Sequence, residues 1–139
     1  MFRIFYTLGL ALVAVAGLAA QPAFAETPNE ILASIQKETA DTPGFQGFSA
    51  AHGESFFKTK HGYEWSCSSC HTENPAVPGK HAKTGKAIEP LAPSANAERF
   101  TSQKKVEKWF KRNCNDVLGR VCTPQEKGDV LTYLRTVKK

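Results

Sequence analysis

The sequence predicts a small all-α protein, and three observations predict it. Apolar residues recur at helical spacing in several segments that begin at capping residues, and no segment alternates as a half-buried strand does. A Pro- and Gly-rich stretch over residues 72–97 is too long for a small domain unless a large group organises it. With 139 residues, of which 41% are hydrophobic, the chain has room for one small domain, which excludes a disordered chain and a multi-domain enzyme.

The N-terminal segment is typical of a secretory signal. Arg3 precedes an apolar run from Leu8 to Ala20, and Ala23-Phe24-Ala25 is a small-x-small cleavage pattern. A retained membrane anchor is the alternative, but the run is short for a span of about 20 residues. We therefore predict that residues 1–25 are a cleaved signal peptide and that the protein is exported to the periplasm.

The excess of basic residues indicates which class of partner the protein binds. The chain has 18 Lys+Arg against 13 Asp+Glu and a formal net charge of +5. It lacks the arginine-rich helix or the basic and aromatic ladder that nucleic-acid-binding proteins use, so we expect no nucleic acid partner. An acidic protein is the partner that this basic surface favours.

Two helices are predicted between the signal peptide and residue 67, where a segment with two cysteines begins. Asn29 is placed to cap a helix over residues 30–39, and Ser49 is placed to cap a second helix that ends near Lys58. Their apolar and small positions are Ile31, Leu32 and Ile35 in the first helix and Gly53, Phe56 and Phe57 in the second.

Two further helices follow the long loop. Thr101 is predicted to cap a helix over residues 104–112. Thr123 is predicted to cap the last helix, with Pro124 in its first turn and Glu126 completing a capping box. The apolar positions are Val106, Trp109 and Phe110 in the first of these helices and Val130, Leu131, Leu134 and Val137 in the second, with Tyr133 beside them.

The segment Cys67-Ser68-Ser69-Cys70-His71 is a c-type haem attachment motif. Two thiols at this spacing reach the two vinyl groups of one porphyrin, and the imidazole that follows lies under the iron as its proximal ligand. We therefore predict one covalent haem c, attached through Cys67 and Cys70, with His71 bound to iron.

Two other readings of this motif fit less well. A zinc site would need two more ligands at similar spacing, which Cys114 and Cys122 do not provide. A thioredoxin-like dithiol would need a βαβ context, whereas the flanks of this motif have helical patterns.

Several segments together resemble a known family. A helix before the haem motif, with Gly53 and Phe57 in a Gly-x-x-x-Phe pattern, and a helix at the C-terminus are similar to the class I cytochrome c fold. Further downstream, the chain resembles the oxygen-binding cytochromes c of the sphaeroides haem protein (SHP) type. The segments that carry this likeness are 85–94, Arg99-Phe100-Thr101, Val106-Glu107-Lys108-Trp109-Phe110, Arg112-Asn113-Cys114 and Cys122-Thr123.

The resemblance implies a domain arrangement and a pairing of cysteines. Residues 48–139 would form a class I cytochrome c domain wrapped around one covalently attached haem, preceded by an N-terminal helix extension and linker over 26–47. It also implies a disulfide between Cys114 and Cys122. The closed loop is short, so the disulfide would stabilise the fold by about 2 to 3 kcal/mol.

The sixth ligand of the iron cannot be the usual methionine, because the single methionine of the chain is Met1. Asn113 occupies the place, ahead of the terminal helix, where the methionine of an ordinary family member would lie. The SHP resemblance assigns the same residue as ligand, whereas a helix C-cap is the alternative role for Asn113. The other candidates are His52, His61, His81, a lysine, Asn96, Asn115 or an open site, and His61 is the best placed of the histidines.

An amide is a weak, fairly hard ligand that favours Fe(III), so reduction is expected to release Asn113. The reduced iron would then bind O2, NO or CO, and electrons would pass to or from it. The alternative is a simple six-coordinate electron carrier with His or Lys as sixth ligand. We expect no dedicated enzyme, although slow oxygen or NO chemistry is compatible with such an iron.

Supporting residues and partners follow from analogy. The Pro90 carbonyl is expected to accept a hydrogen bond from His71, as a proline carbonyl does in class I chains. Trp109, four residues before Asn113, is expected to contact the haem. Lysines 80, 83 and 86 are candidates for propionate partners or a docking rim. The SHP resemblance implies a dihaem cytochrome c as electron donor, linked to a membrane b-type cytochrome.

Overall fold

Five α-helices and two very short strands make up the part of the chain that the computed structural model describes, residues 25–139. The predicted signal peptide falls almost entirely on residues 1–24, outside this part. The all-α prediction is confirmed. None of the described helices has the length and apolar character needed to cross a membrane. In chain order the elements are α1 (Pro28–Thr39), α2 (Ala50–Lys58), α3 (Ser68–His71), β1 (Gly79–Lys80), β2 (Ala87–Ile88), α4 (Gln103–Leu118) and α5 (Pro124–Thr136).

Helices α2 and α5 cross at very close range. A Cβ on Gly53 would lie 2.0 Å from the carbonyl oxygen of Asp129, so only glycine allows this approach. Asp129 is 6% exposed, and its carboxylate accepts a hydrogen bond from the backbone N–H of Ser49 at 2.7 Å. Ser49 and Thr123 cap these helices as predicted, whereas α5 ends at Thr136, one residue before Val137, which we placed on its buried face.

Helix α1 begins earlier than predicted and packs into the core. Thr27, rather than Asn29, caps it, and Glu30 completes a capping box with Thr27. Ile31 and Ile35 are fully buried in one cluster with Val106 and Leu131. Residues 26–47, which we set before the cytochrome domain as an extension, therefore contribute to the same core.

Helix α4 is longer than the sequence predicts. Ser102 rather than Thr101 caps it, and the helix continues past Arg112 to Leu118. It ends at Gly119, which has a left-handed φ of 67°. Asn113 therefore lies inside the helix, so the alternative that it forms the C-cap is wrong.

The long loop contains a two-residue antiparallel ribbon that the sequence analysis did not predict. Gly79 pairs with Ile88 and Lys80 pairs with Ala87. A Cβ on Gly79 would lie 2.0 Å from the carbonyl oxygen of Cys70, so this ribbon lies directly against α3. The loop is thereby held beside the Cys-rich motif.

Candidate haem site

A cavity of about 500 Å³ opens between α3, the long loop and α4. Its volume is within the range of cofactor sites. Much of its lining is apolar and comes from elements that are far apart in sequence. The apolar side chains include Phe56, Phe57, Ile88, Leu91, Phe100, Val106, Phe110 and Leu134.

The three motif residues Cys67, Cys70 and His71 all line this cavity. Helix α3 positions them, because the N–H groups of Cys70 and His71 both donate to the carbonyl of Cys67, at 3.2 and 3.0 Å. Ser66 and Ser69 strengthen the turn through reciprocal backbone to hydroxyl hydrogen bonds of 3.0 and 3.2 Å. The short helix thus presents both thiols and the imidazole to the same space.

Burial in the cavity wall shifts the pKa of the His71 imidazole and that of the Cys67 thiol in opposite directions. Burial lowers the pKa of His71 to about 4, and the charge of Arg99 acts in the same direction. His71 is therefore a neutral imidazole at pH 7, which is the form that binds a metal. Burial raises the pKa of the Cys67 thiol to about 11.

Arg99 clamps the loop that carries Pro90. Its Nε donates to the Pro90 carbonyl at 2.9 Å and its Nη2 donates to the Glu89 carbonyl at 2.7 Å. A carbonyl oxygen has two lone pairs, so the bond from Arg99 leaves Pro90 able to accept a second one. The role of Pro90 as acceptor for His71 stays a prediction.

The α4 side of the cavity carries polar and aromatic residues. Five of them recur three or four positions apart, which places them along one face of the helix. Asn113 is one of these residues, whereas the other candidate asparagines, Asn96 and Asn115, are not among the residues that line the cavity. The five are Lys105, Trp109, Arg112, Asn113 and Asp116.

The three histidines that are alternatives to Asn113 as sixth ligand differ in whether they line the cavity. His52 is exposed on α2, and Nε2 of His61 lies 2.9 Å from the carbonyl of Phe56, outside the cavity lining. His81 does line the cavity, and its Nδ1 accepts hydrogen bonds from the N–H groups of Lys83 and Thr84. The structure therefore places His81, rather than His61, at the cavity, and a histidine as the alternative sixth ligand stays a prediction.

Trp109 lies at the cavity, as expected, but is not part of a buried stripe. It is 50% exposed, while Val106 on the same helix is 4% exposed. Of the three loop lysines, Lys83 lines the cavity, and its Nζ lies 4.7 Å from the ring centroid of Trp65.

Arg99 and Phe100 are neighbours that both line the cavity, and the sequence predicted no role for Arg99. Phe100 has a positive φ of 57°, which is unusual for a bulky residue, and it packs against both core clusters. Helical periodicity gives no signal for either residue. The motif Arg99-Phe100-Thr101 in the family resemblance was the signal that pointed to this place.

Cys114 and Cys122 are joined by a disulfide, with their Cα atoms 5.6 Å apart. Cys114 belongs to α4 and follows Asn113 directly, and Cys122 precedes the cap of α5. The bond therefore ties the end of the α4 wall to the start of α5.

The donor set fits one covalently bound haem. The two thiols can form thioether bonds, the neutral imidazole can bind iron, and the apolar lining can accommodate a porphyrin. A helical fold with this motif at a cavity of this kind defines a c-type cytochrome.

Comparisons with known proteins agree with this class. A family model described as "Domain of unknown function (DUF1924)" matches residues 43–134, and the chain belongs to this family. It is 48% identical over 101 residues to cytochrome c'' of Methylophilus methylotrophus, a match that covers 70% of each protein. It is 54% identical over 69 residues to the cytochrome c-type protein SHP of Cereibacter sphaeroides, covering 50% of this chain and 53% of that protein.

Solved structures show the same relationship. Oxidised cytochrome c'' from M. methylotrophus superposes with a TM-score of 0.70 at 41% identity, covering 81% of this chain and 95% of that one. Oxidised SHP, described as an oxygen-binding cytochrome c, superposes with a TM-score of 0.69 at 39% identity, covering 79% and 96%. The resemblance to SHP and the predicted haem c cofactor are thus confirmed.

Proposed function

We propose that this protein is an exported monohaem c-type cytochrome in which Asn113 is a weak sixth ligand that is released on reduction. The reduced protein would then bind O2, NO or CO at the freed position. The observation that supports this most directly is that His71 on α3 and Asn113 on α4 line one cavity. The oxygen-binding description of SHP supports the choice of diatomic gases.

Cys67, Cys70 and His71 would hold the haem, which supplies a one-electron couple and a coordination position at its iron. His71 contributes a neutral ring nitrogen, because burial keeps its pKa well below neutral pH. The Pro90 carbonyl would orient this ring by accepting its second N–H.

Asn113 would act through its side chain alone. Its amide is a neutral, fairly hard donor, so it would bind Fe(III) better than Fe(II) and would be released when an electron donor reduces the iron. Asn113 is exposed within a continuous helix, so its side chain can rotate away without unfolding α4. The freed amide N–H can then donate a hydrogen bond to a bound gas.

The disulfide would keep the backbone of Asn113 in place during this change. Cys114 is 3% exposed and holds the helix one residue after Asn113. Export supports this role, because disulfides persist in the oxidising periplasm. Trp109 would contact the haem beside Asn113.

The physiological partners are proposed from the family resemblance and from charge. A dihaem cytochrome c would donate the electron and would itself be linked to a membrane b-type cytochrome. Cleavage after Ala25 would remove Arg3 and lower the net charge from +5 to +4, which still favours an acidic donor.

Variants of Asn113 test the ligand assignment. In Asn113→Ala the ferric absorption spectrum should change, because the sixth ligand is lost. In Asn113→His and Asn113→Met the reduced protein should become six-coordinate and low-spin and should no longer bind CO. Asn115→Ala is the matched control, since this neighbouring asparagine is outside the cavity lining, and its spectra should equal those of the wild type. An unchanged ferric spectrum in Asn113→Ala would contradict the assignment.

A second candidate is a simple electron carrier that stays six-coordinate in both oxidation states. The position of His81 in the cavity lining favours it. In that case the reduced wild type would be low-spin and indifferent to CO, and His81→Ala would remove both properties.

A further inference from the structure

Trp109 lies in an unusual place for a tryptophan. It lines the cavity, yet it is 50% exposed. Large aromatic side chains normally bury most of their surface, so an indole that stays half exposed at a cavity lies at its rim.

Two cations hold the indole there. The guanidinium carbon of Arg112 lies 5.1 Å from the ring centroid, and Nζ of Lys108 lies 5.7 Å from it. Both are within the range of cation–π attraction. Arg112 also lines the cavity, so the indole and the guanidinium form one continuous part of the rim.

The rim is close to Asn113. Trp109 and Asn113 are four residues apart on α4, so their side chains lie one above the other on the same face. Helical side chains lean towards the N-terminus, which brings Asn113 over the turn that carries Trp109.

We propose that Trp109, braced by Arg112, covers the approach to the position that Asn113 vacates and so sets the size of ligand that can enter. Diatomic gases pass the indole, whereas larger ligands such as an alkyl isocyanide or imidazole are excluded. This selectivity rests on the proposed function, since it requires that the position becomes free.

The test measures ligand entry rather than turnover. Association rates of CO and of n-butyl isocyanide with the reduced holoprotein are measured by stopped flow for each variant. In Trp109→Ala the ratio of the isocyanide rate to the CO rate should rise by about tenfold or more. Trp109→Phe and Arg112→Gln should each give a smaller rise. The affinity of the ferric protein for imidazole should increase in the same order.

Tyr63→Ala is the matched control. Tyr63 is 51% exposed, like Trp109, but it is not among the residues that line the cavity. Its truncation should leave the rate ratio as in the wild type. Haem content and the far-UV circular dichroism spectrum, neither of which depends on the contact of Trp109 with the haem, show for each variant that the protein is folded and loaded.

The outcomes separate the two proposals. If CO binds to the reduced wild type but the rate ratio is unchanged in Trp109→Ala, the selectivity role of Trp109 is overturned and the proposed function is not. An equal rise in Tyr63→Ala also overturns it, because the effect would then be a general loosening. If the reduced wild type does not bind CO, the proposed function fails and the selectivity role fails with it.

Discussion

The two sides of the cavity are built differently. The attachment wall, residues 66–71, is closely held: Ser66 and Ser68 are 4% and 8% exposed, and their hydroxyls lie 2.9 Å apart in a hydrogen bond. Helix α4 also presents exposed residues to the cavity, and we call these the α4 wall: Lys105, Trp109, Arg112, Asn113 and Asp116. A ligand on the attachment wall has little freedom, whereas one on the α4 wall can move.

The backbone of α4 is nevertheless held firmly. Val106, Cys114 and Val117, which also line the cavity, are buried, with exposed fractions of 3% to 6%. Freedom on the α4 wall is therefore confined to side chains. This is the arrangement that a detachable ligand needs, because its return depends on a fixed backbone.

The largest effect is expected where the attachment wall is broken chemically. In the double variant Cys67→Ser and Cys70→Ser the haem can form no thioether bond, so it should be lost on denaturation. Haem staining of a denaturing gel and extraction with acid acetone measure this. Cys114→Ser with Cys122→Ser should keep its haem, and a stained band in the first variant would contradict the attachment sites.

A second way to break the attachment wall is steric. In Gly79→Ala the new Cβ would lie 2.0 Å from the carbonyl oxygen of Cys70, so β1 and α3 must separate. The free energy of unfolding should fall by about 3 kcal/mol. Denaturant titration followed by circular dichroism measures it, with Lys86→Ala on the same hairpin as control, expected within about 0.5 kcal/mol. Equal stability of Gly79→Ala and the wild type would argue against this close contact.

Removing the disulfide tests whether it holds the α4 backbone in place at Asn113. The double variant Cys114→Ser and Cys122→Ser should lose about 2 to 3 kcal/mol of stability, because the unfolded chain gains freedom. Its ferric spectrum should also show a mixture of coordination states, since the backbone at Asn113 is less firmly held. Loss of stability with a fully wild-type ferric spectrum would show that the disulfide does not position Asn113.

The smallest effect concerns pH and the start of α5, next to Cys122. Hydrogen bonds from Arg120, at 2.6 and 2.8 Å, lower the pKa of Glu126 below its usual 4.5. A carboxyl whose pKa is lowered by folding contributes stability above pH 4.5, and this contribution is lost as the pH falls through the lower folded-state pKa. Glu126→Gln should therefore be less stable than the wild type at pH 7, by less than about 1 kcal/mol, and the difference should shrink in acid.

Arg120→Gln is the matched variant for this comparison, because it removes the partner and leaves the carboxyl. It should show the same direction of pH dependence as Glu126→Gln when unfolding is followed from pH 7 to pH 3. A constant difference across this range would show that the ion pair does not cause it.

Much of the fold could be predicted from local signals. Ser49, Thr123 and the capping box of Glu126 predicted the starts of α2 and α5 correctly, because a cap is a short-range interaction. The length of α4 could not be predicted, since the run Asn113-Cys114-Asn115-Asp116 has low helix propensity. Burial of Val117 and the bond to Cys122 extend the helix there.

The part of the site whose residues lie close together in sequence could be predicted. The positions of Cys67, Cys70 and His71 follow from one motif, and the structure brings all three to the cavity. The clamp of Arg99 and the choice between His61 and His81 depend on the path of the long loop. Neither leaves a periodic signal in the sequence.

The central claim is that the iron loses its sixth ligand on reduction, and one set of absorption spectra tests it most directly. The ferric protein, the dithionite-reduced protein and the reduced protein under CO are compared. We predict a broad high-spin band for the reduced protein that sharpens and shifts when CO is added. Sharp, split low-spin bands that do not respond to CO would contradict the release of Asn113 and leave a simple electron carrier as the function.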